Sequence, residues 1–566
     1  MTDLTPGIDP IRLEVIRNAL VAASEEMSIT IWRTSRSTVV REILDFSTAV
    51  FDAQGNNIAQ SARIPVHLNS MSDCLRTILD RFIPLEEWQD GDVIVTNDPY
   101  SGGQHLSDIQ TFRPVFVDGR RVAIVGTLCH HVDVGGGAAG SFFAAATEVF
   151  QEGIRIPPLR LAEKGVLNRG VFEMLLHNVR QPDETRGDLN AQIAALGIGE
   201  RAVARMARKY GAEALTAAMA AILDGSEKMM RAGLAALPDG EASFVELVDD
   251  DGQSDKPIRL EVKITKKGEA ITLDFAGSSP QVSGPVNNTP AMTCSAVYYA
   301  LLAALGGDIP ANSGCYRPVT VKLPEGSIVN ASFPAPVAGR MVVNHRIAIA
   351  VFGALAEIAP TRIPAAYYAI SYVYALQTRT PQGKGRVYFD IEVGGWGGHA
   401  GGDGASALSC GLHNNTNAPI EMVEAKYPVT FMRYGLIPDS GGAGEFRGGL
   451  GLVREWRLDA DMGTLSAHFE RFRFPPHGVH GGGPGSLSSM TVTHPDGSRT
   501  ALRSKISGIP LKQGDVVTVA TSGGGGFGDP AKRDPARIAH DLAEGLVTPE
   551  QAARLYGAAA GTEKAA

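Results

Sequence analysis

The sequence predicts a mixed α+β fold of several subdomains, with antiparallel and mixed sheets flanked by helices. Three observations predict it. At 566 residues the chain is longer than one hydrophobic core usually serves. Residues 171–237 are Ala-rich with helical period, whereas residues 244–275 hold short β-branched runs separated by turn signals. The 65 glycines exceed the average share of roughly 7% and cluster within strand-like sequence between residues 385 and 530. Four regions are expected: 1–237, an α/β region holding the candidate site; 238–384, α+β; 385–533, Gly-rich β; and 534–566, a helical tail.

In chain order, Asp9-Pro10 opens a helix carrying Ile11, Leu13, Ile16, Leu20, Ala23, Met27 and Ile31 on its apolar positions, with an acidic cap and Pro in the first turn. Residues 41–52 lead into a strand, Ala53-Gln54-Gly55-Asn56 is a hairpin turn and residues 57–60 return. Pro65-Val66-His67-Leu68 leads into a second helix ending near Phe82. The runs at 93–96 and 122–128 are short and β-branched, as buried strands are. Helices follow to Leu237, where Pro238-Asp239-Gly240 stops them. Antiparallel strands are expected at 244–249, 258–265 and 270–275, helices around 292–305 and 344–358, and two short helices with Asp-Pro and Thr-Pro starts in the tail.

Composition narrows the function. Acidic residues outnumber basic ones, 61 to 52, and no basic run stands out, which argues against a nucleic-acid partner. No segment approaches the roughly 20 apolar residues of a membrane span, and the first residues lack an apolar signal core. The five cysteines are scattered and never in a CxxC pair, against a disulfide framework or a cysteine zinc site. A cytoplasmic protein is the expectation. None of the glycine runs fits GxxxxGK[ST], so tight turns and close backbone approach explain them better than phosphate binding.

Chemistry gathers where the strands at 93–96 and 122–128 meet polar loops. His105-Leu106-Ser107-Asp108 puts an imidazole and a carboxylate three residues apart, and His130 ends the second run. If these two strands are neighbours, His130 comes close to that pair, and Asp45 offers a fourth ligand. Two imidazoles with two carboxylates suit zinc, manganese or iron better than calcium or magnesium. A lone HxxD is common, however; His131 and Asp133 compete with His130, and Asp98 before Pro99 reads equally as a turn residue. His399 and Asp403 within GWGGHAGGDG either line a substrate pocket or simply pack.

The motifs DFSTAVFD (45–52), VHLNSM (66–71), GDVIVTNDPYSGGQHLSD (91–108), CHHVDVGG (129–136), EVFQEGIRIPP (148–158), GWGGHAGGDG (395–404), GGAGEFRGGLG (441–451) and TSGGGGFGDPAKRDP (521–535) together resemble the hydantoinase B/oxoprolinase family, in order over nearly the whole chain. Relatives in that family include ATP-dependent hydantoinases such as N-methylhydantoinase, 5-oxoprolinases, a lactamase, and the large subunits of acetone and acetophenone carboxylases. The resemblance implies a two-component enzyme, a hetero-oligomer in which a hydantoinase A-like partner subunit uses the ATP and this chain completes ring opening of a small cyclic amide. It implies a divalent metal held by Asp45, His105, Asp108 and His130, with Asp98 as rival to Asp45. His67, His131 and Asp133 are then candidates for orienting or proton-handling roles, and Asp98 and His399 for substrate contacts. A ketone carboxylase subunit and a non-catalytic scaffold with a structural metal are the alternative readings.

Overall fold

The computed structural model describes residues 9–67, 69–379, 383 and 385–557; the outermost residues of the first and last expected regions, 1–8 and 558–566, and Leu68 lie outside the described residues. The fold is mixed α+β. The described residues divide into two compact units: those within 9–241, 263–340 and 412–417 form one, and those within 242–262, 341–411 and 418–557 the other.

The first unit is built on a seven-stranded sheet. Its strands are β1 (Phe46–Asp52), β2 (Asn57–Gln60), β3 (Val93–Thr96), β4 (Asp108–Val117), β5 (Arg120–His130), β6 (Leu159–Glu163) and β7 (Val166–Leu167), in the spatial order β2-β1-β5-β4-β3-β6-β7. All its pairings are antiparallel. Helices cover both faces. On one lie α1 (Pro10–Thr34) and, after the short helix α2 (Thr38–Arg41), the pair α5 (Pro182–Tyr210) and α6 (Ala212–Ala235); on the other lies α3 (Ser70–Arg81), and α4 (Arg169–His177) packs with α5. Strand periodicity sorts the side chains: Ala123, Val125 and Cys129 of β5 join the core under α1 and α5, while Ile124 and Leu128 join Met71, Leu75 and Ile78 of α3. The Asp9 carboxylate caps α1 by accepting from Ile11 N and Arg12 N.

Strands β3 and β5 are not neighbours. β4 lies between them, and the sequence pattern hides it because Pro114 and Arg113 interrupt the apolar alternation. Pro114 sits opposite Ile124 within the pairing, a position that costs a ladder donor and ordinarily argues against a central strand. The remaining strands of this part of the chain are β8 (Gly240–Val248), β9 (Ile258–Lys267), β10 (Ala270–Asp274) and β11 (Val319–Lys322). β10 pairs antiparallel with β9 and parallel with β11. Helix α7 (Pro290–Leu305) precedes β11.

Besides residues 242–262, which carry most of β8 and half of β9, the second unit contains α8 (Met341–Ile358), α9 (Ile420–Lys426) and the strands β12 (Tyr372–Arg379), β13 (Gly385–Glu392), β14 (Val429–Leu436), β15 (Leu452–Leu458), β16 (Met462–His468), β17 (Ser489–Thr493), β18 (Arg499–Ala501), β19 (Lys505–Lys512) and β20 (Val516–Ala520). They form sheets of order β13-β12-β16-β19 and β14-β15-β20-β17-β18, and α10 (Pro535–Ala543) and α11 (Pro549–Tyr556) close the described chain. α8 alone among the described helices is long and apolar enough to cross a membrane, and 83% of it is buried inside the molecule, as for a core helix. The glycine runs stack backbone on backbone. Gly449 N donates to Trp396 O, Gly524 N to Gly449 O, and Gly442 N to Gly524 O. A Cβ on Gly449 would stand 1.9 Å from Ala405 O, so no other residue fits there.

Candidate metal centre

Three adjacent strands end at one place. Asp108 begins β4 directly opposite His130, which ends β5, and on the other side of β5 the His130 N–H donates to Asp45 O just ahead of β1. The turn before β4 adds His105, closed by Asp108 N donating to His105 O. The result is a tight group: His105 Nε2 lies 3.1 Å from His130 Nδ1, His130 Nδ1 3.2 Å from Asp108 Oδ1, and His105 Nε2 3.3 Å from Asp108 Oδ2. All of these side chains are buried, and one donor atom from each of His105, Asp108 and His130 falls within 4.8 Å of the others. Asp45 stands beside the group, its side chain 14% exposed and Oδ1 3.9 Å from His67 Nε2. His67 is fixed from its other nitrogen, Nδ1 lying 2.8 Å from Ser47 Oγ.

The electrostatics suit a cation. Burial pushes His105 and His67 down to about 3, aided in both by the positive charge of Arg340, so both imidazoles are neutral with a lone pair to offer. Burial raises Asp45 to about 6, and the nearby Asp108 charge adds to the rise. Asp108 is pulled the other way: burial opposes its charge, but His105, His130 and Arg340 together hold its carboxyl well below the usual range. Neutral imidazoles and an ionised carboxylate converging on one point are the protonation states that divalent-metal binding requires, so the residues present fit a divalent metal.

Two contributors escape the sequence reading. Arg340 is buried and donates through one nitrogen to both Asp108 Oδ2 (2.9 Å) and Gln104 Oε1 (2.7 Å). His413 belongs to the segment 412–417, which joins the first unit through Val66 N donating to Leu412 O and Thr416 N to Ile43 O. It is brought down to about 3, by burial first and then by Arg340 and His67. Each is more than 200 positions from Asp108 in sequence, with no local motif to announce it.

The other expected residues have partners of their own. Asp98 accepts from Tyr100 N and Ser101 Oγ and forms a two-pronged pair with Arg155 at 2.7 and 2.8 Å. His131 points to the opposite face from His130, its Nε2 3.1 Å from Gln192 Oε1 of α5. Asp133 accepts from Gly135 N, Gly140 N, Arg180 N and Arg180 Nη1. In the second unit, His399 lines a surface cavity of about 520 Å³ with Arg362, Trp396 and Leu408. Asp403, beside it, is tied to Arg533 at 2.8 and 3.0 Å.

This geometry defines a protein with a buried His/Asp cluster at the ends of adjacent strands, of a composition that a divalent cation fits. The family model for hydantoinase B/oxoprolinase matches residues 9–530, and the chain belongs to that family. It is 33% identical to the caprolactamase subunit beta of Pseudomonas jessenii over 97% of this chain and 96% of that one. It is 31% identical to 5-oxoprolinase 1 of Arabidopsis thaliana, over 92% of this chain but 42% of that protein. Its fold superposes on the crystal structure of the ATP-dependent caprolactamase from Pseudomonas jessenii with a TM-score of 0.91, covering 97% of this chain and 96% of that one at 32% identity. Against the nucleotide-free acetone carboxylase structure the TM-score is 0.89, covering 97% of this chain and 79% of that one; at 19% identity the likeness is one of fold.

Proposed function

We propose that this chain is the metal-binding subunit of an ATP-dependent cyclic amide hydrolase, with a separate hydantoinase A-like subunit using the ATP. The observation that carries the reading is the cross-strand Asp108–His130 pair with His105 beside it. Support comes also from a relative of nearly equal length that is a subunit of a caprolactamase. The 5-oxoprolinases add to it, being more than twice as long as their match to this chain and so having room for a second activity in one polypeptide.

His105, Asp108 and His130, with Asp45 alongside, are the residues that would hold a zinc, manganese or iron ion. Such an ion, when bound, polarises a carbonyl or generates hydroxide near neutral pH, which is what a resonance-stabilised ring amide needs. His67, neutral and facing Asp45, is placed to hold or move a proton at Nε2. His105 and His130, with Arg340, keep Asp108 ionised, and burial of the whole cluster strengthens each of these interactions.

The test is to purify the chain with its ATP-using partner and assay hydantoin, 5-oxoproline and lactam rings, and a small ketone, with ATP, with and without bicarbonate. ATP-dependent ring opening without bicarbonate is the expected result. Bicarbonate carbon appearing in a carboxylated ketone would favour the carboxylase reading instead, and turnover that survives loss of His105 and Asp108 would make the cluster structural.

A further inference from the structure

Arg340 is an odd neighbour for a cation site. A guanidinium there repels a bound cation, and its burial costs solvation. Charge is therefore a poor reason for its presence, and geometry a better one. Its Nη2 takes a lone pair of Asp108 Oδ2 at 2.9 Å while also reaching Gln104 Oε1 at 2.7 Å. Gln104 is anchored in turn through Nε2 to Ser70 Oγ at 2.8 Å. The carboxylate of Asp108 is thus pinned at Oδ2, with Oδ1 turned to His130.

Arg340 is itself delivered by a clamped loop. The buried carboxyl group of Glu152 accepts the N–H groups of Val337 (3.0 Å) and Ala338 (2.8 Å). Val149 N donates to Pro334 O, Gly339 N to Pro285 O, Arg340 N to Val337 O, and the Tyr100 hydroxyl to Ala335 O. So many tethers on residues 334–340 fix the position of one side chain, as a preorganised site demands.

We propose that Arg340 is a positioning residue, held by Glu152 through the 334–340 loop, which sets the rotation of the Asp108 carboxylate and thereby the cation affinity of the His105/Asp108/His130 cluster. The proposal rests on the metal-site reading above and adds two residues to it, neither of which touches the cation.

Cobalt(II) is the probe, because its visible bands report ligand geometry independently of turnover. The full chain, stripped of metal, is titrated with cobalt(II) as the parent and as Arg340→Met, Arg340→Lys and Glu152→Gln, with thermal unfolding followed in parallel. Arg340→Met is expected to weaken binding by about 10- to 100-fold and to shift the bands, the usual size for a group that orients a ligand. Arg340→Lys recovers part of the loss, since an ammonium still reaches Oδ2 but lacks the planar fork. Glu152→Gln moves affinity in the same direction by less, because its amide nitrogen faces a backbone N–H.

Unchanged affinity and bands in Arg340→Met overturn the proposal. So does a loss that follows unfolding and that lysine restores in no part, which marks packing alone. If Arg340→Met does not fold, the lysine and Glu152→Gln variants decide the matter in the same way. A parent chain that binds no cobalt(II) overturns the metal-site reading itself, an outcome distinct from parent binding that the variants leave untouched.

Discussion

Each unit of this molecule buries a cluster of charged side chains, and the two clusters are composed differently. In the second unit Glu246 faces Arg346 and Arg471, and Glu470 faces Lys505 at 2.9 Å and Arg346 at 3.5 Å. Backbone N–H groups of Asp249, Phe472 and Arg473 take up further carboxylate oxygens. Acid alternates with base, and lone pairs meet protons. In the first unit two carboxylates and several neutral imidazoles gather around a single guanidinium, with imidazole nitrogens 3.1 Å apart. That arrangement sets neutral imidazoles and carboxylates around one cation instead of alternating acid with base. On the proposed metal-site reading, the contrast teaches how to tell a buried structural network from a cation site: the first is closed by its own opposite charges, and the second gains a positive centre from outside.

The largest expected effect breaks the open cluster. His105→Ala or His130→Ala should remove most bound metal, measured by elemental analysis, and lower turnover by more than about 100-fold, beyond the loss from orienting groups alone. The unfolding temperature of the metal-free chain should barely move. Normal metal content in either variant would remove that residue from the ligand set. The closed cluster should respond in the opposite way. Arg346→Met removes one cation of the network but leaves Glu246 with Arg471 and Glu470 with Lys505, so it should cost about 3 kcal/mol in denaturant unfolding, the low end for breaking a buried pair, while metal per folded chain stays at the parent level. A stable Arg346→Met variant that has lost its metal would erase the distinction.

Acid and alkali should separate the clusters as well. His67, His105 and His413 are depressed to about 3 by burial, so their contribution is present above the free imidazole value of about 6.5 and lost as pH falls toward 3. Asp45, raised to about 6 by burial, contributes in the reverse sense, present below about 4 and lost as pH rises through 6, so it offsets part of the acid loss. In the second unit burial raises Glu470 to about 8 and Glu392 to about 7. What they contribute is present at low pH and lost as pH rises through 7 to 8. In the parent these contributions oppose one another, and Glu152 of the first unit is raised by burial to about 8 as well, so the urea midpoint of each metal-free variant is compared with the parent's from about pH 4 to 9. Relative to the parent, His67→Gln should gain stability as pH falls below about 6.5, and Glu470→Gln as pH rises above about 4.3; a difference that does not vary with pH would sink that assignment.

Much of the scaffold was legible because its signals are local. Asp9-Pro10 started a helix that the Asp9 carboxylate does cap, and Asp534-Pro535 and Thr548-Pro549 started the tail helices in the same way. The His105–Asp108 pair was legible because three residues of turn suffice to bring imidazole and carboxylate to 3.3 Å. His130 came into reach by a route the sequence hid, through β4 and its Pro114, whose pairing with β5 makes Asp108 and His130 cross-strand partners. Arg340 and His413 were out of reach for a different reason. Their places are set by loop tethers between residues hundreds of positions apart, and no periodicity or capping rule encodes such contacts. The glycine runs were legible as close backbone approach, since only a missing Cβ explains them; which run stacks on which was not.

The smallest expected effect lies within the first unit and tests whether the contrast holds residue by residue. Asp98 and Asp108 are both buried carboxylates near strand ends, ten positions apart. Asp98 belongs to the closed kind: Arg155 and its own turn consume its oxygens. Asp108 belongs to the open kind. Asp98→Asn keeps the shape and the Tyr100 N–H bond but weakens the pair with Arg155, whose side chain is 32% exposed and so screened by solvent. The cost in urea unfolding should be about 1 kcal/mol, with metal content and cobalt(II) bands at the parent values. Asp108→Asn, equally isosteric, should abolish metal binding and, because it takes the carboxylate from the buried Arg340 guanidinium, cost more stability, about 3 kcal/mol. If the two asparagine variants exchange these outcomes, Asp98 is the cation's carboxylate, and counting a cluster's own opposite charges fails as a guide to which buried acids await a metal.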